Sequence, residues 1–401
     1  MKLGLLCFSL LLSSWGVASA GDWRETVRLN GSIKNLNLYS ENYAGPDTDG
    51  GLLVEHARLD LQATLPAAVL LELAVDQQQL WSNRRGLSIS GGSPANRRFD
   101  LDKSWGEGER SGGLLQLDRL NLHTEALGVQ WTLGRQAIGF GRISLFSPLD
   151  VIAPFAPDVL DAEVRPGVDA FRGVRYFGLA GQLGGTLVLG DERRHNSYLL
   201  TFGENIAGVD VLLLAGRLRG RPMAGIGLAG ELGNVGLKGE LARYRGTAVG
   251  QPWGDLYGSF TIAALESWYR FDNGLVLLAE YLRNGSGGDR PQEYPLIQAS
   301  APYREGLSFL SGRNYLLFGP SYDLHPLVTL NGLVIWNLDD DSLLLRPQLT
   351  LSLADNLQLD LFWGWGIGDR TRISGDTGQA LVRSEFGAVG NSGAMLLRWY
   401  F

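Results

Sequence analysis

The sequence predicts an all-β protein, a transmembrane, antiparallel, up-and-down β-barrel of about 18 strands, with 16 strands as the alternative. Three observations predict this fold. Apolar and polar residues alternate in segments of about ten residues. The connections between these segments alternate between short and long, and the chain ends in an amphipathic segment whose last residue is Phe401.

Apolar and polar side chains alternate along each predicted strand because successive residues of a strand face opposite sides of the sheet. In segment 51–64, for example, Leu59 and Leu61 alternate with Arg58 and Asp60. One face of such a strand suits lipid and the other suits water. We place the 18 segments near residues 24–38, 51–64, 68–80, 114–124, 127–137, 167–178, 181–191, 196–205, 207–217, 222–232, 234–245, 259–271, 274–284, 313–323, 326–337, 342–353, 355–366 and 391–401.

The lengths of the connections support the same topology. Every second connection is a tight turn, such as Pro66-Ala67 or Gly233-Asn234, whereas the others include the long stretches 81–113, 138–166 and 285–312. Outer-membrane barrels have short periplasmic turns and longer extracellular loops. A soluble β-sandwich has no reason to keep this parity along the whole chain.

The N-terminus has the pattern of an export signal. Lys2 is followed by the apolar run Leu5 to Leu12 and then by small residues at Val17-Ala18-Ser19-Ala20. We therefore expect cleavage before Gly21, which makes residues 1–20 a signal peptide.

We assign residues 21–401 to one barrel that crosses the outer membrane of a Gram-negative bacterium many times. Charged residues make up 19% of the chain, below the roughly 25% of soluble domains. The formal net charge of −7 disfavours nucleic acid as a partner. Cys7 is the only cysteine and is lost with the signal, which excludes disulfides and thiolate metal sites. We expect no enzymatic activity, no metal and no cofactor.

A barrel of this size has a water-filled lumen, so the polar face of its strands should line a pore. Both signs of charge occur on that face, and opposed charges orient polar solutes in a channel. Ion pairs that only satisfy a wet wall are the simpler interpretation of the same residues. The predicted pore-lining residues are Arg58, Asp60, Glu72, Asp76, Arg135, Asp169, Arg172, Lys238, Glu240, Glu280, Arg346 and Asp360.

The connection Phe140–Pro166 is the candidate constriction of the pore. Long ordered loops are often functional, and apolar residues such as Phe146 and Ile152 favour packing against the inner wall. An outward loop with solvated acids is the alternative. The predicted constriction residues are Asp150, Asp158, Asp161 and Glu163.

The last segment places Met395, Leu397, Trp399 and Phe401 on one face of a strand. This pattern predicts a C-terminal assembly signal, Trp399 and Phe401, that the barrel-assembly machinery recognises. The other expected partners are the outer-membrane lipid and a small polar solute.

Two further motifs suggest other chemistry. His195-Asn196-Ser197 lies near an external edge, and a membrane hydrolase would need a Ser or Asp beside a His at the rim. A chance neighbour is the simpler interpretation. Asp339-Asp340-Asp341 could bind calcium through its carboxylates, although a solvated turn is the simpler explanation.

Three motifs carry a resemblance to a known family: GRQAIGFGR at 134–142, SPLD at 147–150 and GVDAFR at 167–172. Together they are similar to porin-like barrels of Gram-negative bacteria, which include the alginate-export type and uncharacterised porin-like relatives. The resemblance implies a long loop between two wall strands. Some barrels of this kind also enclose multihaem cytochromes. The wall residues that the resemblance implies at the constriction are Arg135, Asp169 and Arg172.

The function that these observations favour is a porin-like outer-membrane channel for passive diffusion or export of small hydrophilic or charged solutes. The first alternative is the barrel of an electron-transfer conduit around a periplasmic or surface cytochrome. Any haem would belong to that cytochrome, because the chain has no CxxCH motif. The second alternative is an outer-membrane hydrolase with its site at the rim.

Overall fold

Eighteen antiparallel strands form one closed barrel, as the sequence predicts, and the alternative of 16 strands is wrong. The last strand pairs with both its predecessor and the first strand, so that Gly393 lies opposite Trp363 on one side and Tyr39 on the other. The structure is a computed structural model that describes residues 27–41, 49–86, 96–251, 254–373 and 380–401. The predicted signal peptide, 1–20, lies outside these residues.

The barrel strands are labelled here in chain order. Strand β14 is interrupted at Gly319-Pro320, because proline has no amide hydrogen to donate to the ladder. The strands are β1 (Val27–Ser40), β2 (Gly50–Leu65), β3 (Val69–Ser82), β4 (Ser111–Ala126), β5 (Val129–Gln136), β6 (Val168–Phe177), β7 (Gly181–Val188), β8 (Ser197–Ile206), β9 (Val209–Leu218), β10 (Arg221–Leu232), β11 (Val235–Arg245), β12 (Ser259–Arg270), β13 (Val276–Asn284), β14 (Asn314–Phe318 and Ser321–His325), β15 (Val328–Asn337), β16 (Ser342–Ala354), β17 (Leu357–Ile367) and β18 (Ser392–Tyr400).

The strand register separates an apolar outer face from a polar inner face. Leu29, Leu61, Leu73 and Leu120 lie opposite one another across β1 to β4 and form one outward row. Such a row belongs to the apolar band that outer-membrane barrels present to lipid. The intervening residues face the lumen.

Tight turns and long loops lie at opposite ends of the barrel. The turns Leu127-Gly128 and Ala207-Gly208 have φ of 58° and 70°, and of 53° and 85°, which is the left-handed backbone of a two-residue type I′ hairpin. Phe401 lies at this same end. By the general rule for outer-membrane barrels, this is the periplasmic end and the long loops are extracellular.

The extracellular connections contain short elements of their own. Strand β5 pairs only with the residues of β4 from Leu120 onward, and a short strand, Asp102–Trp105, pairs with the earlier part of β4. Among the described residues, no helix is long and apolar enough to cross a membrane. The other extracellular elements are the helices α1 (Tyr294–Gln298) and α2 (Ala301–Arg304), the short strands Arg372–Ile373 and Ala380–Leu381, and the 3-10 turns Arg193–His195, Pro291–Glu293 and Phe386–Ala388. One further 3-10 turn, Pro66–Ala68, lies at the periplasmic end.

Candidate functional site: a loop across the lumen

The connection between β5 and β6, residues 137–167, lies inside the barrel, and we call it the lumen loop. Its first limb, 137–149, bonds to β11, β12 and β13. Its second limb, 150–167, bonds to β16, β18 and β1. Six strands, β13 to β18, separate β12 from β1 in the closed sheet. A segment that contacts both of these strands has to cross the lumen.

Glu240 on β11 is the main anchor of the first limb. One carboxylate oxygen accepts hydrogen bonds from the amides of Arg142 at 2.6 Å and Ile143 at 3.3 Å. The other oxygen accepts from the Ser147 hydroxyl at 2.5 Å and from the Leu149 amide at 3.1 Å. Glu240 is only 4% exposed. This predicted pore-lining residue therefore contacts the loop rather than the solution.

Glu266 and Glu280 continue this row on β12 and β13, where they lie directly opposite each other. Glu266 accepts from the Ser144 amide at 2.6 Å and pairs with the Lys238 ammonium at 2.7 Å. Glu280 accepts from the Phe146 amide at 3.3 Å. Lys238 therefore balances the charge of Glu266, and the loop amides bind one oxygen of each side chain.

The first limb also packs against the wall through one apolar side chain, Leu149. Leu149 is fully buried and lies over two inward-facing glycines of β10. A Cβ atom added at Gly225 would lie 2.4 Å from Leu149 Cδ2, and one at Gly227 would lie 3.0 Å from Leu149 Cδ1. The two glycines therefore form a notch for the leucine, whose full burial is worth about 1.5–3 kcal/mol.

Around these three glutamates, the wall that the first limb covers is apolar. Ile143 and Phe146 of the loop belong to one buried cluster with Leu212 and Ile262 of the wall. The Phe146 ring also meets the Phe309 ring of the β13–β14 connection edge-on, with centroids 6.3 Å apart. This part of the inner face is thus a packed core, where the sequence predicted a wet wall.

The second limb brings two acids to basic residues of the wall. Lys34 Nζ lies 2.8 Å from Asp161 and 2.7 Å from Glu163, and Arg398 lies 3.8 Å from both. Tyr400 donates its hydroxyl to Glu163 at 3.0 Å. The side chains of Asp161 and Glu163 keep 27% and 41% of their surface exposed. Both acids are therefore ion-paired and still accessible.

The other two predicted constriction acids have different contacts. Asp158 accepts a hydrogen bond from Arg346 through its backbone carbonyl, and the Arg346 guanidinium lies 5.8 Å from the centroid of the Phe362 ring. Asp150 lies 2.6 Å from Arg165 within the loop itself. Burial raises the pKa of Asp150 above its usual range despite the Arg165 charge. The ion pair of Asp150 and Arg165 therefore joins two parts of the lumen loop to each other.

A second group of charges lies on the inner faces of β2, β3 and β4. Arg58 donates to Asp60, Asp76 and Asp118, each at 2.9 Å. Asp118 is the extra residue of a β-bulge in β4, where the register with β3 shifts. The bulge changes the phase of the alternation after this residue, and Asp118 adds a third carboxylate beside Arg58. Asp60 remains partly exposed to the lumen.

Arg135 and Asp169 pair inside the wall, which corrects the prediction that they line the pore. Arg135 Nε lies 2.7 Å from Asp169 Oδ1, and the two residues are 2% and 3% exposed. Asp169 also accepts from the amides of Arg98 and Phe99 at 2.8 and 2.9 Å. The pair therefore holds the segment before strand Asp102–Trp105 against the wall. Arg172 points to the opposite face of β6 from Asp169. It is partly exposed and has no ion pair among the described residues.

Glu72 and Asp360 lie on the inner face near the periplasmic end. Glu72 lies 3.2 Å from His123 and is partly exposed. Asp360 is fully buried, and it accepts hydrogen bonds from Arg398 and, at 2.6 Å, from the Thr350 hydroxyl. Of the predicted pore-lining residues, those that keep a partly exposed side chain are Asp60, Glu72, Arg172, Lys238 and Arg346.

Sequence reasoning missed two carboxylates of the site. Glu266 shares its face of β12 with Phe260 and Ile262, so alternation alone assigns that face to lipid. A carboxylate within such an apolar face was the available signal. Asp118 shares the inward alternation of Leu114 and Gln116, and its alternation with Leu115 and Leu117 was the available signal.

The hydrolase motif does not assemble. His195 Nδ1 lies 2.5 Å from Asp191. Ser197 is fully buried, and its hydroxyl accepts from the Arg219 amide at 3.0 Å. In the part of the chain that the structure describes, His195 and Ser197 share no hydrogen bond.

The acidic turn 339–341 satisfies backbone amides. Asp339 accepts from the amides of Arg313 at 2.5 Å and Asn314 at 2.7 Å, and Asp340 accepts from the Glu385 amide at 2.7 Å. Within the described ranges, no group of acidic, His or Cys residues is arranged to hold a metal ion.

The C-terminal aromatic residues lie on the outer face of the closing strand. The ring centroids of Trp399 and Phe401 are 5.1 Å apart, and both side chains are exposed. The Phe401 backbone exchanges hydrogen bonds with Gly31 at 2.8 and 3.0 Å, which seals the seam with β1. Their role as an assembly signal stays a prediction.

The comparison with known proteins supports the fold. No protein-family model and no curated protein matches the sequence. The solved structure of OccAB4 from Acinetobacter baumannii superposes with a TM-score of 0.57 at 8% identity, over 94% of this chain and 98% of that one. OccAB2 from the same species gives a TM-score of 0.59 at 10% identity, over 95% and 99%. The chain therefore has the fold of porin-like outer-membrane β-barrels.

Proposed function

We propose that the protein is an outer-membrane channel for diffusion of small hydrophilic or charged solutes, and that the lumen loop sets its narrowest part. The observation that carries this proposal is the double attachment of the loop. Glu240 and Leu149 fix the first limb to one side of the barrel, and Lys34 fixes the second limb to another. A loop held on two walls narrows the lumen and stays in place.

The charges that remain accessible give the channel its electrostatic character. Asp161 and Glu163 present partly exposed carboxylates on the second limb. Arg172 and Lys238 present partly exposed cations on the wall. A solute with polar or charged groups exchanges water for these groups as it passes. The mechanism makes and breaks no covalent bond, and the gradient sets the direction of transport, inward or outward.

The buried apolar contacts of the loop favour this function over a conduit that encloses a cytochrome. A partner protein in the lumen would have to displace Leu149 and Phe146, both of which are buried against the wall or a neighbouring loop. The loss of such burial is costly. A hydrolase is disfavoured by the buried Ser197 hydroxyl described above.

Solute uptake into liposomes tests the proposal. The purified barrel is reconstituted into liposomes, and swelling is followed in sugars, amino acids and dicarboxylates of increasing size. We expect swelling to be fast for the smallest solutes and to fall steeply with size. Protein-free liposomes and liposomes with heat-unfolded protein are the controls. A folded barrel that passes no solute of any size would refute the proposal.

A further inference from the structure

The outer faces of β9 to β13 carry a band of arginines at the extracellular end. Along these strands Leu212, Leu214 and Leu282 are buried inside, so the intervening residues face outward. All of the arginines on that outward alternation lie within the last three residues of their strands and are exposed. They are Arg217 on β9, Arg243 and Arg245 on β11, and Arg283 on β13.

Among the residues that the structure describes, these four guanidinium groups have no carboxylate partner. Arg243 donates only to the hydroxyls of Thr261 and Ser259, and Arg283 donates to the Asn314 amide oxygen. Arg217 and Arg245 have no side-chain hydrogen bond or ion pair among the described residues. The outward alternation of β9 to β13, all of which the structure describes, contains no Asp or Glu. The band therefore has a charge of +4 on a surface that faces the membrane.

The rest of the extracellular rim is different. On β1, β3, β15 and β17, exposed aromatic residues lie on the outward face near the same end, as is usual where a barrel meets the membrane interface. Among the described strands, only β9, β11 and β13 place an exposed arginine on the outward face at this end. The aromatic positions are Tyr39, Trp81, Trp336, Trp363 and Trp365.

An apolar groove of about 1080 Å³ runs down the outer face from Arg217. Its floor contains Gly185, where an added Cβ atom would meet only Leu200, at 3.8 Å. Phe171 lines one side and Tyr198 the other, and Tyr198 lies directly opposite Arg217 in the register. This exposed apolar groove therefore leads to the cluster of arginines at its extracellular end.

We propose that this face binds an anionic lipid of the outer leaflet through a phosphate headgroup on the four arginines and an acyl chain in the groove. Arginine binds phosphate through paired, charge-assisted hydrogen bonds, and basic clusters beside a membrane select anionic headgroups. The alternate strands β9, β11 and β13 space these cations about 10 Å apart. A lipid with more than one phosphate could therefore contact several of them at once.

Native mass spectrometry of the barrel in neutral detergent tests this site. The probes are dimyristoylphosphatidic acid, dimyristoylphosphatidylcholine and inorganic phosphate. We expect retained adducts with phosphatidic acid only. The combined variant Arg217→Gln, Arg243→Gln, Arg245→Gln and Arg283→Gln should weaken that binding at least tenfold. Arg110→Gln, an exposed arginine just before β4 and outside the groove, is the control and should bind as the wild type does.

A second variant tests the groove with every arginine in place. Gly185→Leu fills the floor on the lipid side and should also weaken phosphatidic acid binding, so the test stands even if the fourfold variant does not fold. Three results would overturn the proposal: unchanged binding in both variants, equal retention of phosphatidylcholine, or an equal loss of binding in Arg110→Gln. Equal retention of inorganic phosphate would mean that the arginines bind a free anion, and this would also overturn it.

Discussion

Leu149 occupies the space that any side chain at Gly225 would need, since a Cβ atom there would lie 2.4 Å from Leu149 Cδ2. Valine at this position suits a strand but cannot coexist with the leucine in its notch. We predict that Gly225→Val displaces the first limb of the lumen loop and raises the mean single-channel conductance. Overpacking of this kind costs about 1–3 kcal/mol, so the barrel should still fold.

The matched control for this substitution is Gly239→Val on the neighbouring strand. Gly239 faces outward, and an added Cβ atom would contact only Leu265, at 3.8 Å. Its conductance should equal that of the wild type. If Gly225→Val also behaves like the wild type, Leu149 does not hold the loop in place.

Removal of the Glu240 carboxylate should loosen the first limb. Glu240→Ala leaves the amides of Arg142, Ile143 and Leu149 without their acceptor, and each unsatisfied buried group costs about 1–3 kcal/mol. We predict faster hydrogen exchange at the amides of 142–149, measured by mass spectrometry, with no change in strand β17. Glu240→Gln keeps an acceptor oxygen and should show a smaller increase. Exchange that stays slow in Glu240→Ala would contradict the anchor.

Removal of the Lys34 charge should shift the ion selectivity of the channel toward cations. Lys34 is buried between Asp161 and Glu163, at 2.8 and 2.7 Å, and neutralises part of their charge. In Lys34→Gln these partly exposed carboxylates lose their nearest cation. The reversal potential in a salt gradient should therefore move in the cation-selective direction, whereas Lys34→Arg should resemble the wild type. A move in the anion-selective direction would show that these acids do not face the path of the ions.

An extracellular ion cluster should make stability depend on pH. Glu305 accepts hydrogen bonds from Arg221 at 2.6 and 3.0 Å and from Arg219 at 3.2 Å. Burial alone would raise the pKa of Glu305, but the hydrogen bonds and charges of the two arginines outweigh it and hold this pKa below its usual range. Because the folded pKa is depressed, the stabilisation is present above the ordinary value of 4.5 and is lost as the pH falls through the lower folded value.

The melting temperature tests this pH dependence. Between pH 6 and pH 3, the wild type should lose more in melting temperature than Glu305→Gln, which has no carboxylate to protonate there. Equal losses in both proteins would mean that Glu305 contributes nothing to the acid sensitivity.

The fold was predictable because lipid imposes a simple rule on every strand. The outward row Leu29, Leu61, Leu73 and Leu120 has to be apolar, and this requirement makes the alternation visible in the sequence. The tight turns were predictable because a two-residue hairpin needs a left-handed backbone, which favours small residues and glycine. Ala207-Gly208 adopts that backbone.

The interior was only partly predictable, because the lumen loop changes what the inner wall has to be. Where the loop covers β12, the inward residues Phe260 and Ile262 are apolar, and the alternation of apolar and polar residues disappears. The bulge at Asp118 and the burial of Arg135 beneath Arg98 and Phe99 depend on contacts between distant segments. A local pattern does not encode such contacts.

The most direct test of the central claim is the current through single barrels in a planar bilayer, measured for the wild type and for a variant in which 142–149 is replaced by a short glycine-serine linker. We predict a steady open current for the wild type and a larger, less selective current for the variant. A wild-type barrel that is folded and inserted but silent would contradict the proposal of a diffusion channel. Equal currents in the two proteins would contradict the role of the lumen loop as its constriction.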